Sequence, residues 1–313
     1  MTDSAIVANR IVANDPAIEA PPTIAAGSAV VTGSAVVAGS PIVAGRGAAT
    51  SPATPPVPSA ARPLLAQFGM FERGLAEFRG RRVLMLQGPI GPFFSRLARD
   101  LGEAGAAVVK VDFNGGDRLF SRSRDFEKRI DYRGSLDDWP ATFEALVREH
   151  RIDTVLLFGD CRPIHVPAIQ VARTLAIEIG VFEEGYLRPD FITIERGGVN
   201  NHSSLPKDPA FYLTQTALPP TPTTPLGSTF GSAAWWGALY YTASSLGHWR
   251  YPRVRHHRTL GWRESRFWVR SAWRKLKYRI EERSMEQRFI GDSPSRFFLV
   301  ALQTSGDAQV TVH

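Results

Sequence analysis

The sequence predicts an α/β fold: a Rossmann-like, doubly wound parallel sheet, preceded by a disordered N-terminal tail and followed by a basic, Trp-rich helical segment. Two observations predict it. Between Arg81 and Phe182, short apolar runs alternate with stretches of helical periodicity. Each run closes on a turn rich in Gly, Asn, Asp or Glu. Strands alternating with helices in this way argue for parallel pairing through right-handed crossovers.

Val83-Leu84-Met85-Leu86 is the first strand, bounded by Gln87-Gly88-Pro89, and Phe93, Phe94, Leu97, Ala98 and Leu101 follow at helical spacing. Gly102 and Gly105 punctuate before a second buried strand, Ala107 to Phe113, which ends in Asn114-Gly115-Gly116-Asp117. Trp139, Phe143, Leu146 and Val147 mark a helix up to His150. Asp153 to Phe158 is a third strand ending at Gly159-Asp160. Pro163 to Ala176 is a helix with Pro near its start, and Ile177 to Phe182 a fourth strand ending at Glu183-Glu184-Gly185. Ligands of such sheets bind beyond the carboxyl ends of the strands. Four polar clusters fall there, and that coincidence locates a site.

A chain of 313 residues with 43% hydrophobic residues and 18 Phe can fill a core and corresponds to roughly two domains. Its one cysteine, Cys161, allows no internal disulfide and no Cys-rich metal site, which points to a reducing compartment, the cytoplasm. The start, MTDSAIVANRIVAND, lacks the pattern of a secretory signal, and no window is apolar enough for a membrane span. Residues 1–62 consist largely of Ala, Val, Gly, Ser, Thr and Pro in near-repeats without an aromatic residue, and are expected to be a disordered tail. The alternative is that the Val-rich repeats add edge strands to the sheet.

Residues 63–208 form the predicted Rossmann-like domain and 209–232 a linker. Residues 233–292 read as a basic aromatic helical segment. Leu246 to Ile290 holds thirteen basic and four acidic residues, while the whole chain carries +7. Six of the seven Trp lie between 235 and 273. Rings at headgroup level and cations meeting anionic lipid are what a membrane interface attracts. The alternatives are a solvated subdomain with a Trp core, and nucleic-acid binding, which is not expected as a partner. Residues 293–313 resemble the start of a further α/β unit, with Arg296 to Gln303 as its first strand, so the chain is expected to be the N-terminal part of a longer protein.

LQGPIGPFFSRLARDL, VVKVDFNGGDRLF, LLFGDCRPIH and VFEEGYLRPDFITIERGGVN resemble the capsule polysaccharide biosynthesis/export family of the KpsS/LipB type. The likeness covers about Arg81 to Pro206, and FFLVALQTSGDAQVTVH is similar to the opening of that family's second half. The resemblance implies two Rossmann-like halves of the GT-B kind. It also implies a retaining β-Kdo transferase, peripheral on the cytoplasmic face of the inner membrane. The donor would be CMP-Kdo, and the acceptor an anionic phospholipid or glycolipid of the phosphatidylglycerol type. Capsule assembly and export proteins are the implied partners. A non-catalytic export or assembly component that holds the glycolipid is the alternative function. The N-terminal tail is not part of the family pattern. A His-Ser/Pro element and a nucleotide-binding half are expected beyond His313.

Retaining transfer calls for a carboxylate that attacks the anomeric carbon and a second acid/base. Asp160, Glu183 and Glu184 stand at strand ends. Neighbours on an extended segment point to opposite faces, so Glu184 and Asp160 are taken as the reactive pair and Glu183 as structural. The plainer readings are a loop cluster paired with Arg188 and a helix N-cap ahead of Pro163. Arg162 and Arg188 are candidates to hold the Kdo carboxylate or an acceptor phosphate, with surface ion pairs as the alternative. His165 is a candidate general base or a satisfied helix residue. Gln87 and Gly88, in a glycine loop before a helix N-terminus, suit an anion, without the GxGxxG fingerprint of dinucleotide binding. Asn114 and Asp117 belong to a site loop or a tight turn. No Cys/His spacing matches a zinc site, and neither a metal nor a bound cofactor is predicted.

Overall fold

The computed structural model describes residues 74–185, 191–213, 229–253 and 262–282, together with the backbone of 35–38. The chain divides into two compact units, Met1–Val254 and Arg255–His313.

The first unit is built on a seven-stranded sheet in the order β1-β7-β6-β5-β2-β3-β4. Its strands are β1 (Ala35–Ala38), β2 (Arg82–Met85), β3 (Ala107–Asp112), β4 (Lys128–Asp131), β5 (Thr154–Phe158), β6 (Glu178–Glu184) and β7 (Phe191–Arg196). Strands β2 to β6 pair in parallel. β7 closes one side antiparallel to β6, and β1, from within the low-complexity tail, pairs antiparallel to β7. The Rossmann-like expectation holds; β1 lies in the Val-rich repeats, where the edge-strand alternative and not the disordered-tail expectation placed a strand, while the antiparallel β7 was not announced by the apolar runs.

The helices of this unit are α1 (Phe93–Glu103), α2 (Gly115–Phe120), α3 (Trp139–Glu149), α4 (His165–Thr174), α5 (Pro209–Leu213) and α6 (Phe230–Leu246). Alternate residues of each central strand feed opposite layers, as the period of two requires. Val83, Met85, Leu156, Phe158 and Phe182 pack with Phe94, Leu97 and Leu101 of α1 on one face. Leu84, Val109, Val155, Leu157 and Val181 pack with Trp139, Phe143, Ala168 and Ile169 of α3 and α4 on the other. Trp139 is fully buried and edge-on to Phe113 at 5.0 Å between ring centroids. Its indole N–H donates to the Ile164 carbonyl at 2.7 Å, so its burial leaves no orphaned donor.

The winding fixes where a ligand belongs. From β2 the chain moves outward through β3 and β4, then returns to place β5 on the other side of β2 and continues through β6 and β7. The carboxyl ends of β2 and β5 therefore flank the topological switch point.

α6 belongs to the first unit, whereas α7 (Trp262–Glu281) belongs to the second, so the segment expected as one basic aromatic unit divides near Val254. Tyr240 and Tyr241 of α6 are core residues, and Tyr251 just beyond it is buried. Behind them Asp131 at the end of β4 accepts from Arg118 at 2.6 Å, from Tyr251 Oη at 2.6 Å and from Arg250, which fastens the far end of α6 to the sheet. On α7 the described apolar side chains Val269, Trp273, Leu276 and Ile280 are exposed and recur at helical spacing. Among the described residues no helix is long and apolar enough to cross a membrane. The linker expected at 209–232 is described in part, as α5 and the start of α6. The strand expected after Arg296 and the remainder of the tail lie outside the described residues.

Candidate functional site at the strand switch point

Gly159 follows β5 with φ +70°, a conformation that glycine adopts without strain, and it turns the chain so that Asp160 and Arg162 return over the strand ends. Arg162 spans the crevice. Its Nη1 donates to Gln87 Oε1 at 2.8 Å and to the Gly88 carbonyl at 3.0 Å, both just beyond β2. The Phe158 ring lies 5.5 Å from its guanidinium carbon. Burial draws the Arg162 guanidinium below its ordinary value, against the opposing charges of Asp117 and Glu183, yet a group this basic stays charged. Gly88 has no room for a side chain, because a Cβ there would lie 2.7 Å from the Phe94 ring.

Gln87 is itself held. Its amide nitrogen faces both oxygens of Asp117, at 3.2 and 3.1 Å, and Tyr240 Oη at 3.2 Å. Asp117 also accepts from the Phe113 N–H at 3.1 Å and from the Tyr240 hydroxyl at 2.8 Å. Asn114 caps α2 by accepting from the Asp117 N–H at 2.9 Å, and its amide reaches Tyr240 Oη at 2.8 Å. Ser244 donates to Asn114 Oδ1 at 3.1 Å. α6 thus roofs the ends of β2 and β3. The approach is close enough that a Cβ on Gly115 would sit 2.1 Å from the Ala243 carbonyl oxygen. Beneath it a small cleft is lined by Gly88, Phe94, Lys110, Asp117, Phe120 and Tyr240.

The carboxylates lie on the β5–β6 side. Asp160 is buried, and burial alone would raise it. Donation from the Val199 N–H at 3.1 Å, from Cys161 at 3.1 Å and from His202 Nδ1 at 3.0 Å outweighs that cost, so Asp160 is held below the ordinary carboxylate value. Glu183 is partly buried and pushed up, mainly by burial, and its charge acts on Arg162 and Cys161. A Cβ placed on Gly159 would have Glu183 Oε2 at 3.7 Å and Arg162 Nε at 3.9 Å as its nearest neighbours, so both groups lie by this turn. Glu184, paired in register with Ile192, is exposed. The expected pairing of Asp160 with Glu184 is therefore revised. The two glutamates do face opposite ways, but Glu183 is the one set beside Asp160 and Arg162.

His165 is fully buried at the start of α4, with Nδ1 against the Gly159 carbonyl at 2.6 Å. Burial, with the nearby Arg162 charge, keeps it well below its ordinary value and neutral. It supports the Gly159 turn from within the core, and the candidacy as general base is corrected: a substrate cannot reach it. Arg188 lies outside the described residues. Gln87, Gly88, Asn114, Asp117 and Arg162 do converge, as parts of one buried network and not as separate contacts.

Asp160, Cys161 and His202 bring one donor atom each within 4.8 Å of one another. The Cys161 thiol is pushed up to about 12 by burial and by Asp160, so it acts as a hydrogen-bond donor to the carboxylate and is poorly disposed to become a thiolate ligand. Asp112, at the end of β3 where a dinucleotide-binding fold keeps its ribose carboxylate, is buried and engaged by Ser121, Lys110 and Arg129.

Tyr240, Ser244 and His202 escaped the reading of the sequence. For the first two a signal existed: a stretch without Asp, Glu, Lys or Arg from Pro209 to Trp249 implied a buried partner, without saying where. His202 stands in a short 3-10 turn after β7 and carried no pattern.

Residues 153–313 match the family described as capsule polysaccharide biosynthesis protein. Over 242 residues, 75% of this chain and 60% of the relative, the chain is 40% identical to the capsule polysaccharide export protein KpsS of Escherichia coli. Over 236 residues, 74% of this chain and 56% of the relative, it is 34% identical to the capsule polysaccharide modification protein LipB of Neisseria meningitidis serogroup B. The matched part thus spans 60% or less of the length of these relatives. The family match contains Asp160, Arg162, Glu183 and His202.

Proposed function

This chain belongs to the capsule polysaccharide biosynthesis family, and from that premise we propose that it takes part in capsule assembly as a retaining glycosyltransferase. In this reading Kdo passes from CMP-Kdo to a phosphatidylglycerol-type lipid and starts the linker of the capsular polysaccharide. The observation that carries the reading is Arg162, a partly buried cation fixed across the switch point between Gln87 and Gly88, with Glu183 and Asp160 beside it.

The chemistry follows from those groups. The Arg162 guanidinium holds an anionic group of the substrate, the Kdo carboxylate or the acceptor phosphate. Glu183 attacks the anomeric carbon, and the bond to CMP breaks with its electron pair leaving on the phosphate oxygen, which needs no proton at neutral pH. An acceptor hydroxyl then displaces Glu183 from the opposite side, and two inversions give net retention. The raised affinity of Glu183 for a proton marks a carboxylate that is less stabilised as an anion than Asp160 is, which suits a nucleophile. The basic helix α7 lies on the anionic inner-membrane surface from which the lipid acceptor is taken.

The test is transfer by the full-length protein of radiolabelled Kdo from CMP-Kdo into the lipid phase with a phosphatidylglycerol-type acceptor. Label in the lipid, and its loss in Glu183→Gln and Arg162→Ala with the fold retained, support the reading. Wild-type protein that binds the glycolipid but transfers nothing overturns it in favour of a non-catalytic export component.

A further inference from the structure

Asp160 and His202 form a buried carboxylate and a half-exposed imidazole in direct contact, with Asp160 Oδ2 3.0 Å from His202 Nδ1 and the His202 side chain 52% exposed. From this geometry, and resting on the transferase reading above, we infer that His202 is the acid–base residue of the site and that Asp160 is the residue that orients it.

The division of roles follows from the burial and the contacts of each group. Asp160 Oδ2 accepts from the Val199 N–H and from His202, while Oδ1 accepts from Cys161. A carboxylate buried under three donors is a weak nucleophile and a weak base, since attack or protonation would break bonds that already stabilise the anion. What such a carboxylate does well is fix an imidazole. An ionised Asp160 makes His202 Nδ1 the protonated nitrogen, so that in the neutral ring Nε2 carries the lone pair, and it stabilises the imidazolium once Nε2 has taken a proton. The Val199 N–H pins the carboxylate three residues before the histidine it orients, so that dyad and turn form one rigid piece.

The proton balance then closes. In the second displacement the acceptor hydroxyl gives its proton to His202 Nε2 as its oxygen bonds to the anomeric carbon. The bond between that carbon and Glu183 breaks, with its electron pair returning to the carboxylate. His202 releases the proton to solvent. The ionisable groups around the dyad are Cys161 from the β5–α4 connection and Glu183 from the end of β6, which the Asp160 charge opposes. Glu195 of β7 is joined to the same turn by a short hydrogen bond from Ser203 at 2.5 Å.

The experiment is the pH profile of kcat for Kdo transfer by the full-length protein, with EDTA present, for wild type, His202→Gln, His202→Ala and Asp160→Asn. The wild-type rate is expected to fall on the acidic side as the general base and the Glu183 nucleophile protonate. His202→Gln should change that limb, leaving only the part set by Glu183, and lose about 100-fold or more of kcat. His202→Ala should regain part of its rate with added imidazole, which a merely structural histidine would not show. Asp160→Asn should lower kcat, because the imidazole loses the carboxylate that fixes its ring and its Nδ1 proton. Melting curves identify any variant that has lost its fold, and the half-exposed position of His202 makes the glutamine tolerable. An unchanged kcat and acidic limb in folded His202→Gln, in an assay where wild type transfers Kdo, overturns the inference. Wild type that transfers none overturns the transferase reading first, and this inference with it.

Discussion

Arg162 and Gln87 are 75 residues apart in the chain and joined at 2.8 Å across the crevice between β5 and β2. The same guanidinium nitrogen also takes the Gly88 carbonyl, so its direction is set by two acceptors on one loop. Behind Gln87 stand Asp117 and Tyr240, neither of which reaches Arg162 through a hydrogen bond of its own. The cation at the switch point is thus aimed by a chain of buried polar groups that ends on α6.

That chain distinguishes charge from geometry. Arg162→Lys keeps the cation but has no planar fork to share between two acceptors and an incoming anion. Transfer is expected to fall about 100-fold with a melting temperature close to wild type, since the loss is of positioning and not of core packing. The comparison of kcat and KM for Arg162→Lys in the Kdo transfer assay checks it. A lysine variant with wild-type kcat would mean that the charge alone suffices.

The contact between α2 and α6 makes a second expectation. At Gly115 an added methyl would meet the backbone oxygen and carbon of Ala243, at 2.1 and 2.8 Å, and no side-chain rotation relieves a clash with backbone. Gly115→Ala should therefore lift α6 and cost about 1–3 kcal/mol or more, with Tyr240 drawn away from Asp117 and Asn114. Gly102→Ala, where an added methyl meets nothing within 4 Å, is the control and should be neutral to slightly stabilising. Urea unfolding of the two variants separates them, and equal midpoints would contradict the packing of α6 on α2.

The parts of this architecture that were legible in the sequence are those in which one residue type answers one demand. β2, β3, β5 and β6 are covered on both faces, so they appear as apolar runs, and the polar clusters that close them mark the strand ends. β4 was not legible. Lys128-Arg129-Ile130-Asp131 is the last strand on its side of the sheet and is only partly buried, so its side chains are ionic: Arg129 turns to Asp112, and Asp131 to Arg118 and Arg250. β7 is an antiparallel addition whose Thr193 and Glu195 are buried, against the usual sense of a polar residue. For the site, a period of two told that Glu183 and Glu184 diverge. Which of them meets the crevice depends on the register of β6 on β5, with Phe158 opposite Phe182, and no local pattern carries that information. Tyr240 reaches Asp117 across 123 residues, and such a partner is beyond any periodicity.

Asp100 on α1 offers a pH dependence separate from catalysis. Its Oδ2 is buried without a hydrogen-bond partner among the described residues, and burial raises its pKa from 3.8 to about 7 despite the neighbouring Arg99. A carboxyl group raised in the folded state favours folding while it is protonated. That contribution is complete below the unfolded value near 3.8 and is lost as pH rises through about 7. At roughly 1.4 kcal/mol per unit, about halved for the water that reaches a helix surface, the loss is of order 2 kcal/mol. Asp100→Asn removes the titration. Its stability relative to wild type should rise between about pH 5 and about pH 8, as measured by urea midpoints at the two values. A difference that does not change with pH would show that Asp100 is ionised in the folded protein throughout.

The last expectation concerns α7, which belongs to the second unit. Trp262–Glu281 carries seven basic and two acidic residues. Val269, Trp273, Leu276 and Ile280 are separated by four, three and four residues and so form one stripe along the helix, with Arg270, Arg274 and Lys277 on one flank and Lys275 and Arg279 on the other. A helix of this kind lies in the headgroup plane, its stripe among the acyl chains and its cations on anionic lipid, at roughly 1 kcal/mol for each cation near the surface. The protein should therefore float with vesicles containing phosphatidylglycerol and remain behind with vesicles of phosphatidylcholine alone. Salt near about 1 M, where the Debye length is only about 3 Å, should release most of it. Trp273→Ser with Leu276→Ser leaves every charge in place and should still weaken flotation, because the two contributions act together. Binding that survives this pair of substitutions while remaining salt-sensitive would identify a purely electrostatic contact. Equal binding to both kinds of vesicle would remove the anionic surface as the partner of α7.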